Sequence, residues 1–175
     1  MSEGIEIRVE RPADRAAGLE VERRSFEPHG SADEEIAIVV AVRDDEGSFA
    51  LVAIDGEDLV GHVQFSRGWI GDTSVVALGP IGVLPERQRG GIGSGLIRAG
   101  FEEARARGES VVMLLGDPGY YSRFGFRPAL PLGIRNPFAG VDASGFVIDE
   151  EDFQLAFVAG EVSLEGEVRW HPVFG

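Results

Sequence analysis

The chain has 175 residues, enough for one domain with a real core, and its 43% hydrophobic and 26% charged residues are those of a globular protein. It has no cysteine, and all sixteen basic residues are arginine, which excludes disulfides, thiolate chemistry, lysine Schiff bases and a Walker-type phosphate lysine. A formal charge of −14 argues against nucleic acid or an anionic membrane as the main partner.

In chain order, Met1–Gly4 lacks the basic start and apolar stretch of a secretory signal, and no run reaches a membrane span, so the cytoplasm is the expected compartment. Gly4–Val9 alternates apolar and polar residues and predicts a half-buried strand. Pro12 opens a helix running towards Phe26. A second helix starts near Ser31 or Asp33, with Glu34 and Glu35 in its first turn, and ends near Arg43. Ser48–Ile54 and Leu59–Phe65 read as strands joined at Asp55–Gly56, and Val75–Val83 as a third apolar run. A glycine-rich turn precedes a helix from about Gly93 to Arg107, stopped by Gly108. Val111–Leu115 is continuously apolar, as in a strand buried on both faces. Ala129–Asn136 reads as loop, and Phe153–Val158 and Gly166–Trp170 as closing strands. No repeat or long linker divides the chain, so residues 1–175 are expected to form one domain of α/β (α+β) class.

Charge is uneven along this order. Ten acidic residues and one arginine lie between Glu27 and Asp58, and eight acidic residues and no arginine between Asp142 and Glu167, whereas Ile81–Arg107 holds five arginines against three glutamates. Solubility explains the acidic stretches. Within the basic segment the strand stops at Pro85, four of the next ten residues are glycine, and an amphipathic helix follows. Glycines there let backbone N–H groups at a helix N-terminus converge on an anion, and Arg87 and Arg89 add charge. A phosphate or pyrophosphate is the natural occupant; a turn that binds nothing is the alternative. The dinucleotide-binding spacing fails because Leu96 stands where a third glycine belongs.

Gln88-x-x-Gly91-x-Gly93, with Ile81–Glu86 before it, resembles the Q/R-x-x-G-x-G/A signature of the GNAT superfamily of N-acetyltransferases. Tyr120–Phe126 resembles the family's FYxxxGF segment. Gly116–Tyr121, Arg127–Pro128 and Val168–Pro172 are similar to its YhbS-like bacterial branch. The resemblance implies a GNAT fold: a central, mixed, mostly antiparallel splayed sheet flanked by helices, with acetyl-CoA as cosubstrate. Its pyrophosphate would rest on the amides of Arg89, Gly90, Gly91, Ile92, Gly93 and Ser94, beside Gln88. Its pantetheine arm would lie along the main chain of Ile81, Gly82 and Val83.

The implied chemistry is acetyl transfer from a thioester to a primary amine by direct attack. The Val83 N–H would face the oxyanion, and Tyr121 would protonate the leaving thiolate. The alternative for Tyr121 is a packing aromatic, and Tyr120 packs or touches the cofactor. Glu27, His29 and His62 are candidates for the general base, which stays unassigned, and water is a further one. Glu86 reads as a capping residue, His171 as structural, and Trp69 as packing or lining the acceptor channel. No His, Asp or Glu pair has metal-ligand spacing, so no metal is expected. The acidic surroundings suggest a cationic acceptor, a small molecule or a protein amine, selected by residues 22–33 and 129–146. A non-catalytic acyl-CoA sensor and a different acyl donor are the competing readings. A homodimer is the default assembly.

Overall fold

A computed structural model describes residues 4–175; residues 1–3, on which most of the N-terminal reading rests, lie outside it. In chain order the elements are β1 (Ile5–Val9), α1 (Arg15–Phe26), α2 (Ala32–Val42), β2 (Phe49–Asp55), β3 (Asp58–Ile70), β4 (Thr73–Val83) and α3 (Ile92–Ala106). They continue with β5 (Val111–Leu115), α4 (Pro118–Tyr121), β6 (Arg127–Pro128), β7 (Gly140–Val141), β8 (Val147–Ile148), β9 (Phe153–Phe157) and β10 (Val168–Arg169). The strands hydrogen-bond in the order β1-β2-β3-β4-β5-β9-β6, with β10 added to the end of β3 and β7–β8 forming a separate hairpin. The β1–β2, β2–β3, β5–β9 and β6–β9 pairs are antiparallel, and β4–β5 is parallel. This is the expected mixed, mostly antiparallel sheet flanked by helices.

The registered pairing of β4 with β5 covers only Val76↔Val112 and Ala77↔Met113. Pro80 lies in the remainder of β4 and has no N–H to donate to a ladder.

The chain forms two compact units. The first holds residues up to Ser66, Leu78–Glu103 and His171–Gly175; the second holds Arg67–Ala77 and Ala104–Trp170. In the first, β2 is buried on both faces from Phe49 to Ala53, and Phe65 of β3 stacks on Phe49 with ring centroids 4.7 Å apart. Val21 of α1, Val39 and Val42 of α2, and Ile92, Leu96 and Ile97 of α3 add to the buried apolar surface of that unit. At about 25 cal/mol per Å² of apolar area removed from water, such side chains supply its main stabilisation. In the second, Ile70, Val75, Val111, Met113, Phe153 and Leu155 are the centre of one cluster, with Trp170 packed against it.

Most elements lie where the residues predict them. β3 runs five residues past Phe65, because Ser66–Ile70 continues as strand and takes up Val168–Arg169 as partner. The closing strand expected over Gly166–Trp170 is correspondingly only two residues long. The helix expected from Pro12 begins as a 3-10 turn, Pro12–Asp14, before α1 proper.

Candidate active site

In the first unit, β4 ends at Val83 and the chain turns through a 3-10 segment, Pro85–Arg87, before α3 begins at Ile92. The turn is held from both sides. The amide of Leu84 donates to the Val60 carbonyl at 3.0 Å, and the Gln88 side chain donates its Nε2–H to the Val83 carbonyl at 3.0 Å. Gln88 thus clips the turn back onto the strand end.

Arg89 takes the left-handed conformation at φ 65° and Gly91 does so at φ 87°. A non-glycine residue at such a φ is uncommon, and Gly91 avoids the cost at the second position. The result is a reversal that delivers the chain into α3, whose first amides have no carbonyl partner within the helix. The first α3 bond of this kind comes from the Gly95 amide to the Gly91 carbonyl, at 3.0 Å. The loose amides of Ile92, Gly93 and Ser94 therefore stand at the positive end of the α3 dipole, where an anion is favoured. Gln88, Arg89, Gly90 and Gly91 are exposed. Arg87 faces Asp55 at 2.7 Å, so its charge is engaged by a carboxylate, and Arg24 pairs with Glu86 at 2.9 Å.

In the second unit, α4 is opened by Asp117, whose Oδ1 accepts from the Gly119 amide at 2.8 Å. This short helix presents Tyr121. Its ring meets Tyr120 edge-on at 4.9 Å and Phe126 at 5.9 Å, and burial pushes its phenol up to about 12. Tyr120 lies under the Arg123 guanidinium at 4.5 Å and against Phe124, so it packs. A cavity of about 520 Å³ opens at the end of β5, lined by Leu115, Gly116, Asp117, Phe146, Ile148 and Asp152.

Residues 15–126 match the Acetyltransferase (GNAT) family. The uncharacterized N-acetyltransferase YhbS of Escherichia coli K12 is 36% identical over 176 residues, covering 96% of this chain and 97% of its own. The chain belongs to the GNAT family. It is an acyltransferase of that family by the same likeness. The crystal structure of E. coli YhbS in complex with CoA superposes with a TM-score of 0.85 at 29% identity, covering 99% of this chain and 93% of that one. A GNAT acetyltransferase from Brucella melitensis in complex with acetyl-CoA gives 0.75 at 33% identity, covering 99% and 100%.

Of the residues singled out from the sequence, Ile81 to Val83 and Gln88 to Ser94 fall together in the first unit, and Tyr121 falls in the second. The three base candidates separate sharply. Glu27 is exposed and paired with Arg23 at 3.1 Å, and His29 ends an exposed 3-10 turn. His62 is fully buried, and its Nδ1–H donates to Glu22 Oε1 at 2.6 Å. Glu86 sits in the first turn of Pro85–Arg87, exposed and held by Arg24. His171 is structural as expected: its Nδ1 accepts from the Val173 amide, and its Nε2 lies 2.9 Å from Asp45. The guanidiniums of Arg67 and Arg169 both lie over the Trp69 ring, at 6.0 and 5.8 Å.

Glu22 was not singled out in the sequence. It stands in α1 between Glu20 and Arg23, a setting that reads as solvated helix surface, yet it is fully buried. No helix among the described residues is long and apolar enough to cross a membrane.

Proposed function

We propose that residues 1–175 work as one acetyl-CoA-dependent N-acetyltransferase, passing the acetyl group directly to a primary amine. The observation that carries this reading is the turn Gln88–Ser94, exposed at its start, reversed at Arg89 and Gly91, and ending on the free amides of α3. Those amides suit a pyrophosphate without any lysine. Ile81, Gly82 and Val83 lie in the part of β4 that its registered pairing with β5 does not reach, and their main chain suits the extended pantetheine arm.

The amine attacks the thioester carbonyl carbon, the carbonyl oxygen becomes an oxyanion, and the C–S bond then breaks. The Val83 N–H donates to that oxyanion, a contact whose value lies in being made only as charge develops. Tyr121 supplies a proton to the departing thiolate, and the proton that the attacking nitrogen sheds as the amide forms restores the phenol. A phenol is protonated at neutral pH, as this role requires, although burial raises its pKa and so makes it a weaker acid.

The acceptor is a cationic amine. The first turn of α2 carries Asp33, Glu34 and Glu35 together, and burial with the neighbouring Glu22 and Glu34 pushes Glu35 up to about 7. Thiol release from acetyl-CoA, measured over a panel of polyamines, aminoglycosides and peptide amines, tests the reading. Turnover by wild type with at least one of them, and loss of rate without loss of acetyl-CoA affinity in Tyr121→Phe, is the expected result. Indifference of turnover to Tyr121→Phe removes the assigned acid.

A further inference from the structure

The cavity at the end of β5 lies wholly inside the second unit. At about 520 Å³ it falls within the roughly 300–1,000 Å³ of pockets that hold small molecules. Its lining is of two kinds. Leu115, Phe146 and Ile148 supply hydrocarbon, and Asp117 and Asp152 supply two carboxylates.

The polar part is held in place by backbone. The Gly116 amide donates to the Asp152 carbonyl at 2.9 Å, and the Gly116 carbonyl accepts from Gln154 Nε2–H at 2.9 Å. Asp117 Oδ1 accepts from the Gly119 amide at 2.8 Å, and Asp152 Oδ2 from the Asp149 amide at 2.9 Å. Each bond engages one oxygen of its carboxylate and leaves the other for a ligand. Among the described residues no cation pairs with either group, because the arginines of this stretch are engaged elsewhere. Arg123 lies over Tyr120, Arg127 pairs with Glu161, and Arg135 faces Glu150.

Phe146 is held as firmly, although 65% of it is exposed. Its amide donates to Asp142 Oδ1 at 2.9 Å, and its carbonyl accepts from the Asp142 amide at 2.9 Å. A single exposed phenylalanine is ordinary, whereas one fixed along a cavity beside unpaired carboxylates offers a face to a ligand.

We propose that this cavity receives the acceptor, and that the acceptor is a small primary amine with an apolar body about the size of a phenyl ring. Its ammonium pairs with the free oxygens of Asp117 and Asp152, and its hydrocarbon is covered by Leu115, Phe146 and Ile148. This rests on the acetyl-transfer reading above and narrows its cationic amine to one class. An ammonium has three N–H donors, enough for both carboxylates. A polyamine would set its further ammonium against the hydrocarbon lining without a counter-charge, which makes it the poorer ligand.

The cavity and the assigned acid share Gly116. That residue lines the cavity and also lies against the Tyr121 ring, where a Cβ would stand 2.5 Å from Cε2. The carboxylates bind and orient the cation. One N–H bond of the ammonium then breaks, its proton passes to water, and the nitrogen keeps the electron pair that attacks the thioester carbon.

The test measures thiol release from acetyl-CoA with 2-phenylethylamine and with putrescine. Wild type is compared with Phe146→Ala, with the paired variant Asp117→Asn and Asp152→Asn, and with Val147→Ala. Asparagine keeps an oxygen for each backbone amide, so the paired variant removes charge and spares the turn. Wild type is expected to favour 2-phenylethylamine over putrescine at least about tenfold in kcat/KM. Phe146→Ala is expected to raise KM for 2-phenylethylamine roughly tenfold with kcat within about threefold, as loss of uniform binding does. The paired asparagine variant is expected to raise that KM roughly tenfold or more, as loss of a charge-assisted contact does. Val147 is 57% exposed and follows Phe146 but does not line the cavity, so Val147→Ala leaves the kinetics unchanged.

No turnover of 2-phenylethylamine by wild type, or no preference for it over putrescine, overturns the proposal. So does a KM unmoved by Phe146→Ala or by the paired asparagine variant, or an equal rise in Val147→Ala. Calorimetric titration of the same proteins with acetyl-CoA separates the two readings. Wild type that binds none removes acetyl transfer itself, whereas binding retained beside any of those kinetic outcomes removes only the cavity assignment.

Discussion

Gly116 lies directly against the ring of Tyr121: a Cβ at that position would stand 2.5 Å from Tyr121 Cε2 and 2.8 Å from Cδ2. The ring is closed in elsewhere by Tyr120 and Phe126, so it cannot retreat without moving the α4 turn. Gly116→Ala is therefore expected to displace Tyr121 and to cost about 1–3 kcal/mol, as overpacking does. Urea unfolding reads that cost. If Tyr121 is the acid, thiol release falls as well, whereas acetyl-CoA affinity changes little.

His62 makes stability depend on pH. Its pKa is about 9 in the folded protein against an ordinary 6.5, so the folded state binds that proton more tightly. The associated stability is complete below pH 6.5 and is lost as the pH rises to about 9, a loss on the order of 3 kcal/mol. Glu35, raised from 4.5 to about 7, acts in the same direction at lower pH: its contribution is present below 4.5 and disappears as the pH rises through 7. Melting temperature is thus expected to fall as pH rises through both windows. Glu35→Gln flattens the lower one and His62→Asn the upper. A melting temperature that rises between neutral pH and pH 9 contradicts this assignment.

Phe65 is fully buried and stacked nearly parallel on Phe49, at 9° between the ring planes. Phe65→Ala removes that contact and leaves a cavity, with an expected loss of about 3–5 kcal/mol in chemical unfolding. The surface pair Arg23–Glu27, with side chains 42% and 66% exposed, provides the contrast. Glu27→Ala is expected to change stability by less than about 0.5 kcal/mol, as for exposed helix pairs.

Local patterns account for how much of this molecule can be read from its sequence. Val111–Leu115 is a run of apolar residues, and a strand buried between neighbours is the only economical use of it; the strand occupies those residues without adjustment. The Gln88-x-x-Gly91-x-Gly93 spacing is legible because its chemistry is local: strand end, reversal and helix start lie within a dozen residues. Glu22 is illegible for the opposite reason. Its partner His62 is 40 residues away, and nothing around Glu22 in α1 distinguishes it from the solvated Glu20 two positions earlier. The two-residue strands β7 and β8 and the four-residue α4 are too short to show a period. The shortness of β10 follows from where β3 ends, which its own residues do not encode.

The central claim is that the Gln88–Ser94 turn holds the pyrophosphate of acetyl-CoA. Gly91 is its most sensitive point, since its φ of 87° disfavours any side chain and its backbone enters the free end of α3. Calorimetric titration of wild type and Gly91→Glu with acetyl-CoA, alongside ATP, tests the claim most directly. Micromolar binding of acetyl-CoA by wild type, lost in a folded Gly91→Glu variant, is the predicted result. Absence of binding by wild type at millimolar acetyl-CoA, or equal affinity in the variant, would contradict it.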